Sequence, residues 1–160
     1  MRKPVILSLM ILFVSMVQVN AQETKPNAET KPDAELIKQA ALDYIEGWYE
    51  GNAERMERAL HPDLAKRIVQ TDPRGRSNLG QMSAMTLVQS VRMGGGKDTP
   101  KERQQKDVTV LDIFGNAASA KIIASDWIDY LHLAKWRGRW VIVNVLWELK
   151  PKDAAPKSTN

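Results

Sequence analysis

The sequence contains no cysteine and only two histidines, His61 and His132, and these absences exclude several kinds of chemistry. Without cysteine there is no disulfide, no thiol nucleophile and no thiolate metal site. Two histidines cannot form a three-histidine zinc site. The fold must therefore rest on its hydrophobic core alone, and we expect neither a metal nor an organic cofactor.

A strong net charge is also lacking. The formal charge of +4 includes Arg2 and Lys3, and residues 1–21 contain no acidic residue, so the rest of the chain is nearly neutral. Nucleic-acid-binding domains typically have a clustered basic face, so no nucleic-acid partner is expected. Residues 34–150 are enough for one domain with its own core but too few for two.

The N-terminus has the pattern of an export signal. Arg2 and Lys3 precede the apolar run 5–17, and Val19-Asn20-Ala21 ends on a small residue of the kind that signal peptidase accepts. The run is shorter than the roughly 20 residues of a membrane span; an uncleaved anchor is the alternative. We expect a periplasmic or secreted protein, cleaved near Ala21 and free of the membrane.

Polar segments flank the predicted domain. Residues 22–33 contain a tandem repeat of Glu-Thr-Lys-Pro, and residues 151–160 have few apolar side chains. Such segments cannot bury enough apolar surface to order themselves. We expect a disordered linker over 22–33 and a disordered tail over 151–160.

Helices are predicted before the long strands. Apolar residues at helical spacing predict helices over 34–50, about 53–60 and about 79–92. Residues 64–70 are expected to form a short edge strand between the second and third helices. Residues 97–105 have no pattern and indicate a mobile loop, either a plain solvated connection or a lid.

Two hairpins are predicted in the last third of the chain. Residues 106–114 and 117–125 flank Gly115-Asn116, and residues 127–136 and 139–149 flank Arg137-Gly138, both suited to two-residue turns. In the first hairpin, Leu111 and Ile113 share a face with three small or branched residues, Ala118, Ala120 and Ile122. The alanines leave room there for helix side chains or for a ligand.

The second hairpin has polar residues on its apolar face. If Trp136 pairs with Arg139, Asp129 and Asn144 lie among leucines, Trp140 and Ile142. A buried carboxylate and amide are costly unless they are paired, so this pattern predicts a pocket. A three-residue turn would instead send Tyr130 and His132 inward.

Two strings identify a resemblance to a known family. YIEGWYEGNAERMERALHPDLAKR (44–67) and ASDWIDYLHLAKWRGRWVIVNVLWEL (124–149) resemble the family named "putative lumazine-binding", in the polyketide-cyclase-like (SnoaL-like) branch of the nuclear transport factor 2-like superfamily. The resemblance implies an α+β, cone-shaped fold in which three N-terminal helices pack in a curved antiparallel sheet. It also implies an internal pocket and, in many members, a homodimer through the outer sheet face.

In this fold, the first helix and the concave sheet face would line the pocket. The candidate ligand-binding residues are Tyr44, Trp48, His61, Asp129, Trp140 and Asn144. Tyr44 and Trp48 lie one helical turn apart and can sandwich a planar ring or simply fill the core. Asp129 is a candidate catalytic base or a structural hydrogen-bond acceptor.

Three functions agree with these features. The first is an exported, non-catalytic binder of a small apolar or aromatic molecule. The second is a cofactor-free isomerase, cyclase or dehydratase that uses Asp129 for acid–base chemistry, as ketosteroid isomerases use a carboxylate. The third is a dimerisation or accessory module with a vestigial cavity.

Overall fold

The computed structural model describes residues 31–151. The predicted signal peptide (1–21), nearly all of the predicted linker (22–33) and residues 152–160 of the predicted tail lie outside the described residues. Within the described range, the helices and strands in chain order are α1 (Asp33–Glu50), α2 (Ala53–Ala59), β1 (Leu60–Thr71), β2 (Ser77–Ser83), α3 (Ala84–Arg92), a 3₁₀ turn (Lys101–Arg103), β3 (Lys106–Phe114), β4 (Ala117–Ala124), β5 (Trp127–Trp136) and β6 (Arg139–Leu149).

The first two helices agree with the prediction and meet at a tight corner. Gly51 ends α1 with a φ of 67°, a left-handed conformation that glycine adopts without strain. The Asn52 side chain accepts a hydrogen bond from Arg55 N at 2.9 Å and caps α2. The short connection folds α2 back against α1, where Arg55 and Arg58 both reach Asp43.

The third helix begins later than predicted. Residues 77–83 form strand β2, which pairs antiparallel with β1 from Ala65↔Ser83 to Thr71↔Ser77. The predicted start of the helix at about residue 79 is therefore wrong. Ser83 supplies the cap instead, since its hydroxyl accepts from Thr86 N at 3.2 Å. Ser83 therefore marks the start of α3, because a capping serine directly precedes the first residue of a helix.

The six strands form one mixed sheet in the order β2-β1-β6-β5-β4-β3. β1 pairs parallel with β6, while all the other neighbours are antiparallel. The expectation of a wholly antiparallel sheet is wrong for the β1–β6 pair. The expectation that residues 64–70 form an edge strand is also wrong, because β1 lies between β2 and β6.

The last hairpin has the predicted turn but contains a β-bulge. Trp136 pairs with Arg139 and Leu133 with Ile142, as the pattern predicts. Arg137 and Gly138 both have positive φ, of 49° and 80°, the conformation of a type I′ turn. Beyond Ile142 the register shifts, so that His132 rather than Leu131 pairs with Asn144. An extra residue in one strand moves every later partner by one.

The first hairpin also contains a bulge. Phe114 pairs with Ala117 as predicted, but the register shifts between Val110 and Asp112. Leu111 is therefore 52% exposed, and its predicted place on the inner face is wrong. Ala118 and Ala120 are buried with the α1 residues of the core. Helix side chains, not a cavity, occupy the space above these alanines.

The core lies between the helices and the concave face of the sheet. Ile37 and Ile45 of α1 belong to one buried hydrophobic cluster with Leu131 and Ile142 of the central strands. Burial of such side chains contributes about 1.5–3 kcal/mol each. Within residues 31–151, no helix has the length and apolar character needed to cross a membrane.

Candidate functional site

A pocket of about 230 Å³ opens between α1, α3 and the concave face of the sheet. Its deep end is formed by the buried residues Tyr44, Lys66 and Leu87, and its outer end includes Leu149, which is 53% exposed. The walls are mostly apolar and aromatic. The complete lining is Tyr44, Trp48, Lys66, Met82, Leu87, Ser90, Trp127, Trp147 and Leu149.

An ion pair lies at the deep end of this pocket. Lys66 Nζ is 2.6 Å from Asp129 Oδ1 and donates a second hydrogen bond, also of 2.6 Å, to Tyr44 Oη. Both members of the pair are buried, Lys66 with 4% and Asp129 with 0% of its surface exposed. A buried charge requires a partner, and each of these two charges has one.

The rest of the Asp129 carboxylate is also occupied. Trp127 Nε1 donates to Asp129 Oδ2 at 2.7 Å, so both carboxylate oxygens accept strong hydrogen bonds. Trp127 lies two residues before Asp129 on β5, and alternate residues of a strand share a face. The sequence therefore provides Asp129 with a donor from its own strand and a second donor from β1.

Aromatic rings surround the Lys66 ammonium. Its Nζ lies 4.8 Å from the ring centroid of Trp147 and 5.4 Å from that of Tyr44. These distances are within the range of cation–π attraction. The rings exclude water from the ion pair and line the deep part of the pocket at the same time.

Burial changes the titration of the groups around the ion pair. Removal from water raises the pKa of Tyr44 well above its usual value of 10.0, and the negative charge of Asp129 raises it further. Burial lowers the pKa of Lys66 from its usual 10.5, although Asp129 opposes this effect. The Tyr44 hydroxyl is therefore neutral over the physiological pH range.

One donor on the pocket wall has no partner. Among the buried side-chain nitrogen and oxygen atoms of residues 31–151, Trp147 Nε1 alone makes no hydrogen bond. Buried polar atoms in folded proteins are nearly always paired. The unpaired indole N–H lies on a residue that lines the pocket.

Three of the predicted site residues come together. Tyr44 and Trp48, one turn apart on α1, both line the pocket, and Asp129 lies behind its deep end. Trp48 meets Trp127 edge to face, with ring centroids 6.2 Å apart. The predicted aromatic pair of α1 thus borders a cavity, and Tyr44 is at the same time part of the buried core.

Asn144 is not part of this group. The bulge in β6 places it opposite His132 on the convex face, where its side chain accepts from Arg67 Nη1 at 2.8 Å. The predicted position of Asn144 beside Asp129 is wrong, because the register assumed a regular strand. The regular register would put Leu146 opposite Asp129, whereas the structure puts Trp147 there.

His61 and Trp140 also lie away from the pocket. The His61 ring packs edge to face on Trp136 at 4.9 Å, and its Nδ1 accepts from Asp63 N. Trp140 is buried, and its Nε1 donates to Asp33 Oδ1 at 2.9 Å. Both residues connect elements of the fold at the opposite end of the last hairpin.

Sequence reasoning missed Lys66, the partner of Asp129. The only signal is the strand period, because Leu64, Lys66 and Ile68 are alternate residues and all three are buried. A strand interpretation of this segment places the lysine on an apolar face. Such a lysine requires a buried carboxylate, and Asp129 was the candidate.

No group of three or more potential metal ligands occurs among the histidine, aspartate and glutamate side chains of residues 31–151. The polar groups that line the pocket are instead the Lys66 ammonium, the Tyr44 phenol, the Ser90 hydroxyl and indole N–H groups, with the Asp129 carboxylate behind Lys66. This set can hold an organic molecule by stacking and hydrogen bonding.

The family is now decided by a sequence profile. The profile described as "Putative lumazine-binding" matches residues 32–148. The chain belongs to this family. The match covers both strings noted in the sequence and every element from α1 to the end of β6. No curated protein matches the sequence significantly.

Solved structures of similar fold agree with this membership. An NTF2-like protein of unknown function from Methylobacillus flagellatus KT is 23% identical, with a TM-score of 0.60 over 76% of this chain and 95% of that one. One from Shewanella baltica OS155 is 20% identical, with a TM-score of 0.57 over 75% and 95%. These likenesses establish the nuclear transport factor 2-like α+β fold alone.

A third similar structure connects the fold to a second description. An NTF2-like protein from Novosphingobium aromaticivorans, described as having a cystatin-like fold, is 14% identical, with a TM-score of 0.54 over 77% of this chain and 85% of that one. Helices packed in a curved sheet are the shared feature.

Proposed function

We propose that this family member is an exported protein that binds a small, mostly aromatic molecule in the pocket between α1, α3 and the sheet, without catalysing a reaction. The observation that carries the proposal is the buried Lys66–Asp129 pair at the closed end of an aromatic-walled cavity. The family description, which names a small heterocyclic ligand, supports the same class of function.

The size of the pocket limits the ligand. Its volume of about 230 Å³ is below the roughly 300–1,000 Å³ of typical sites for drug-sized molecules. Trp48, Trp127 and Trp147 line the pocket with indole rings that can stack on a planar molecule. A mono- or bicyclic aromatic molecule fits these limits best.

The polar groups at the pocket limit the chemistry of the ligand further. Lysine has three N–H donors, and Lys66 uses two of them on Tyr44 and Asp129. The indole N–H of Trp147 is a further unused donor. The ligand should therefore present an acceptor, such as a carbonyl oxygen or ring nitrogen, and no net charge, since Asp129 already balances Lys66.

The occupied carboxylate favours binding over acid–base catalysis. A general base must reach the proton that it removes, whereas both oxygens of Asp129 accept hydrogen bonds, from Lys66 and Trp127. The paired lysine also stabilises the ionised carboxylate. The acid–base role considered for Asp129 therefore has less support than a structural one.

Two isosteric probes test the ligand class. Quinoxaline differs from naphthalene only in two ring nitrogens, which are acceptors. Calorimetric titration should give tighter binding of quinoxaline to the full protein, by about tenfold if one additional hydrogen bond forms. Lumazine is a third probe, suggested by the family description. Equal affinity for quinoxaline and naphthalene would contradict the donor role of the pocket.

A blocking variant tests the location. Ser90 lines the pocket, whereas the neighbouring Gln89 on α3 is exposed and does not line it. Ser90→Trp should abolish quinoxaline binding because the new indole occupies the cavity. The matched Gln89→Trp variant should bind like the wild type. Binding that survives Ser90→Trp would place the ligand elsewhere.

Export is the second part of the proposal. The support is the sequence pattern of residues 1–21, a basic start, an apolar run and Val19-Asn20-Ala21. Mass spectrometry of the protein from its own host should find a mature chain that begins at Gln22. A chain that retains residues 1–21 would contradict this assignment.

A homodimer through the convex face of the sheet is the third part. Tyr130 pairs with Leu146, and Val69 pairs with Leu79, and all four of these apolar side chains are about half exposed on β1, β2, β5 and β6. Exposed apolar side chains that share one sheet face often mark a protein–protein contact. A second copy of the same face would cover it in an isologous interface.

A further inference from the structure

The glycines that follow α3 make an unusually close contact with the pocket. A Cβ atom added to Gly95 would lie 2.8 Å from Cη2 of Trp48. One added to Gly96 would overlap Cδ1 and Nε1 of the same indole and lie 2.6 Å from the Trp48 carbonyl oxygen. Real Cβ atoms do not approach other atoms this closely, so the two positions accept only glycine while Trp48 keeps its place.

The contact joins two walls of the pocket. Trp48 belongs to α1, while Gly95 N donates to Ser90 O at 2.9 Å and thereby caps the end of α3. Both Trp48 and Ser90 line the pocket. The glycine backbone therefore lies between Trp48 of the α1 wall and Ser90 of the α3 wall.

We propose that Gly95 and Gly96 are positioning residues that hold the Trp48 indole in the wall of the pocket and so set the width of the pocket at Trp48. The inference rests on the proposed function and deepens it, because the contact between the glycines and Trp48 would determine which ligands enter. Trp48 is partly exposed, packs against the hydrophobic core and meets the Trp127 ring edge to face. A side chain on the glycine loop would push the indole toward Trp127 and into the cavity.

The chain provides a matched control for the test. Gly94 and Gly96 have positive φ, of 92° and 79°, so alanine is strained at both positions. A Cβ at Gly94 would meet nothing within 4 Å, whereas a Cβ at Gly96 would overlap Trp48. The difference between Gly94→Ala and Gly96→Ala therefore isolates the contact with Trp48 from backbone strain.

The first measurement reports the indole position without any ligand. In nitrogen–proton spectra of the full protein, the Trp48 indole signal is assigned by its loss in Trp48→Phe. Gly96→Ala should shift this signal, and Gly95→Ala should do the same, while Gly94→Ala leaves it in place. An unmoved Trp48 signal in both Gly95→Ala and Gly96→Ala would overturn the proposal.

The second measurement reports the consequence for the pocket. Titration with quinoxaline should show a loss of affinity of about tenfold or more in Gly96→Ala and no loss in Gly94→Ala. If the wild type binds no probe but the Trp48 signal moves as expected, the binding function fails and the positioning role stands. If the wild type binds and Gly96→Ala binds equally well, the positioning role fails.

A third variant covers the case in which Gly96→Ala does not fold. Trp48→Ala removes the overlapping ring but not the nearby Trp48 carbonyl oxygen, so Trp48→Ala/Gly96→Ala should recover part of the lost thermal stability. The two changes should therefore be non-additive. Equal destabilisation by Gly96→Ala with and without the Trp48 ring would overturn the proposal.

Discussion

Lys66 and Asp129 are the residues on which the site depends. From the sequence alone, Asp129→Asn is expected to affect a ligand more than the fold. The structure changes this expectation, because Asp129 is the buried partner of Lys66 at 2.6 Å. Removing one member of a buried pair leaves an uncompensated charge, which is strongly destabilising.

Asp129→Asn should therefore lower the free energy of unfolding by about 3–5 kcal/mol, measured by urea denaturation. Asp126→Asn is the matched control three residues earlier. Asp126 pairs with Arg103 at 3.3 Å, and both side chains are more than half exposed, so its loss should cost about 0–1 kcal/mol. Adding Lys66→Met to Asp129→Asn should recover much of the stability. Equal midpoints for the two single variants would contradict the role of the pair.

Tyr44 gives the clearest pH dependence. Burial raises its pKa above the usual 10.0, so keeping this residue neutral stabilises the fold fully below pH 10. That stabilisation is lost as the pH rises through the higher pKa of the native state. Lys66 acts in the opposite sense. Burial lowers its pKa in the folded protein below 10.5, so the free energy of unfolding rises as the pH goes from the pKa of the folded state to that of the unfolded state.

The tyrosinate absorbance of the wild type and of Tyr44→Phe should therefore coincide as the pH rises past 10, until the protein unfolds. The reason is that native Tyr44 contributes no ionised form in this range. An excess of one tyrosine equivalent in the native wild type would show that the hydroxyl is not buried as described.

At the scale of helices and strands, the corner between α1 and α2 is held by one arginine. Arg55 of α2 contacts Asp43, Glu46 and Glu50, which lie on one face of α1, and its side chain is only 19% exposed. The planar guanidinium can serve three carboxylates at once, which a lysine ammonium cannot do with the same geometry.

Arg55→Lys should lower the free energy of unfolding by about 1–2 kcal/mol, as expected for lost hydrogen bonds to charged groups. Arg58→Lys, three residues later, is the control, since Arg58 is 56% exposed and lies 3.5 Å from Asp43. Thermal unfolding should show a clear loss for position 55 and little change for position 58. A larger loss at position 58 would contradict the account of this corner.

The elements that could be predicted are those with a strong local signal. Arg137-Gly138 and Gly115-Asn116 fix both hairpin turns, and the pairing next to each turn is as predicted. The two bulges have no comparable signal, because an extra residue in a strand changes the partner but not the composition. For this reason Asp129 was placed correctly on the inner face and Asn144 was not.

Strand β2 was missed for a related reason. Residues 77–83 carry one glycine and few branched residues, so β-propensity does not indicate a strand there. Its conformation follows from pairing with β1, which only the tertiary structure reveals. Lys66 was missed because β1 was expected at the edge of the sheet, whereas β1 lies between β2 and β6.

For the molecule as a whole, the family and its α+β fold follow from the two sequence strings, since the family profile covers residues 32–148. The proposed homodimer rests on the convex face of the sheet. Leu146 and Tyr130 lie side by side on the convex face and are about half exposed. Covering them with a second copy would remove apolar surface from water.

Light scattering of the full chain should give the mass of a dimer, and Leu146→Asp should give a monomer, because a charge at the centre of an isologous interface meets its own copy. Met93→Asp is the control at a residue that is 80% exposed but follows α3 instead of lying in the sheet. A monomeric wild type would refute the interface.

Native mass spectrometry of the protein purified from its own host tests the binding function most directly. The wild type and Gln89→Trp should each carry a small neutral molecule that dissociates on activation, and Ser90→Trp should carry none, because its indole fills the pocket. A wild type that carries no such molecule and that does not bind quinoxaline or lumazine would contradict the account and favour an accessory module with an unused cavity.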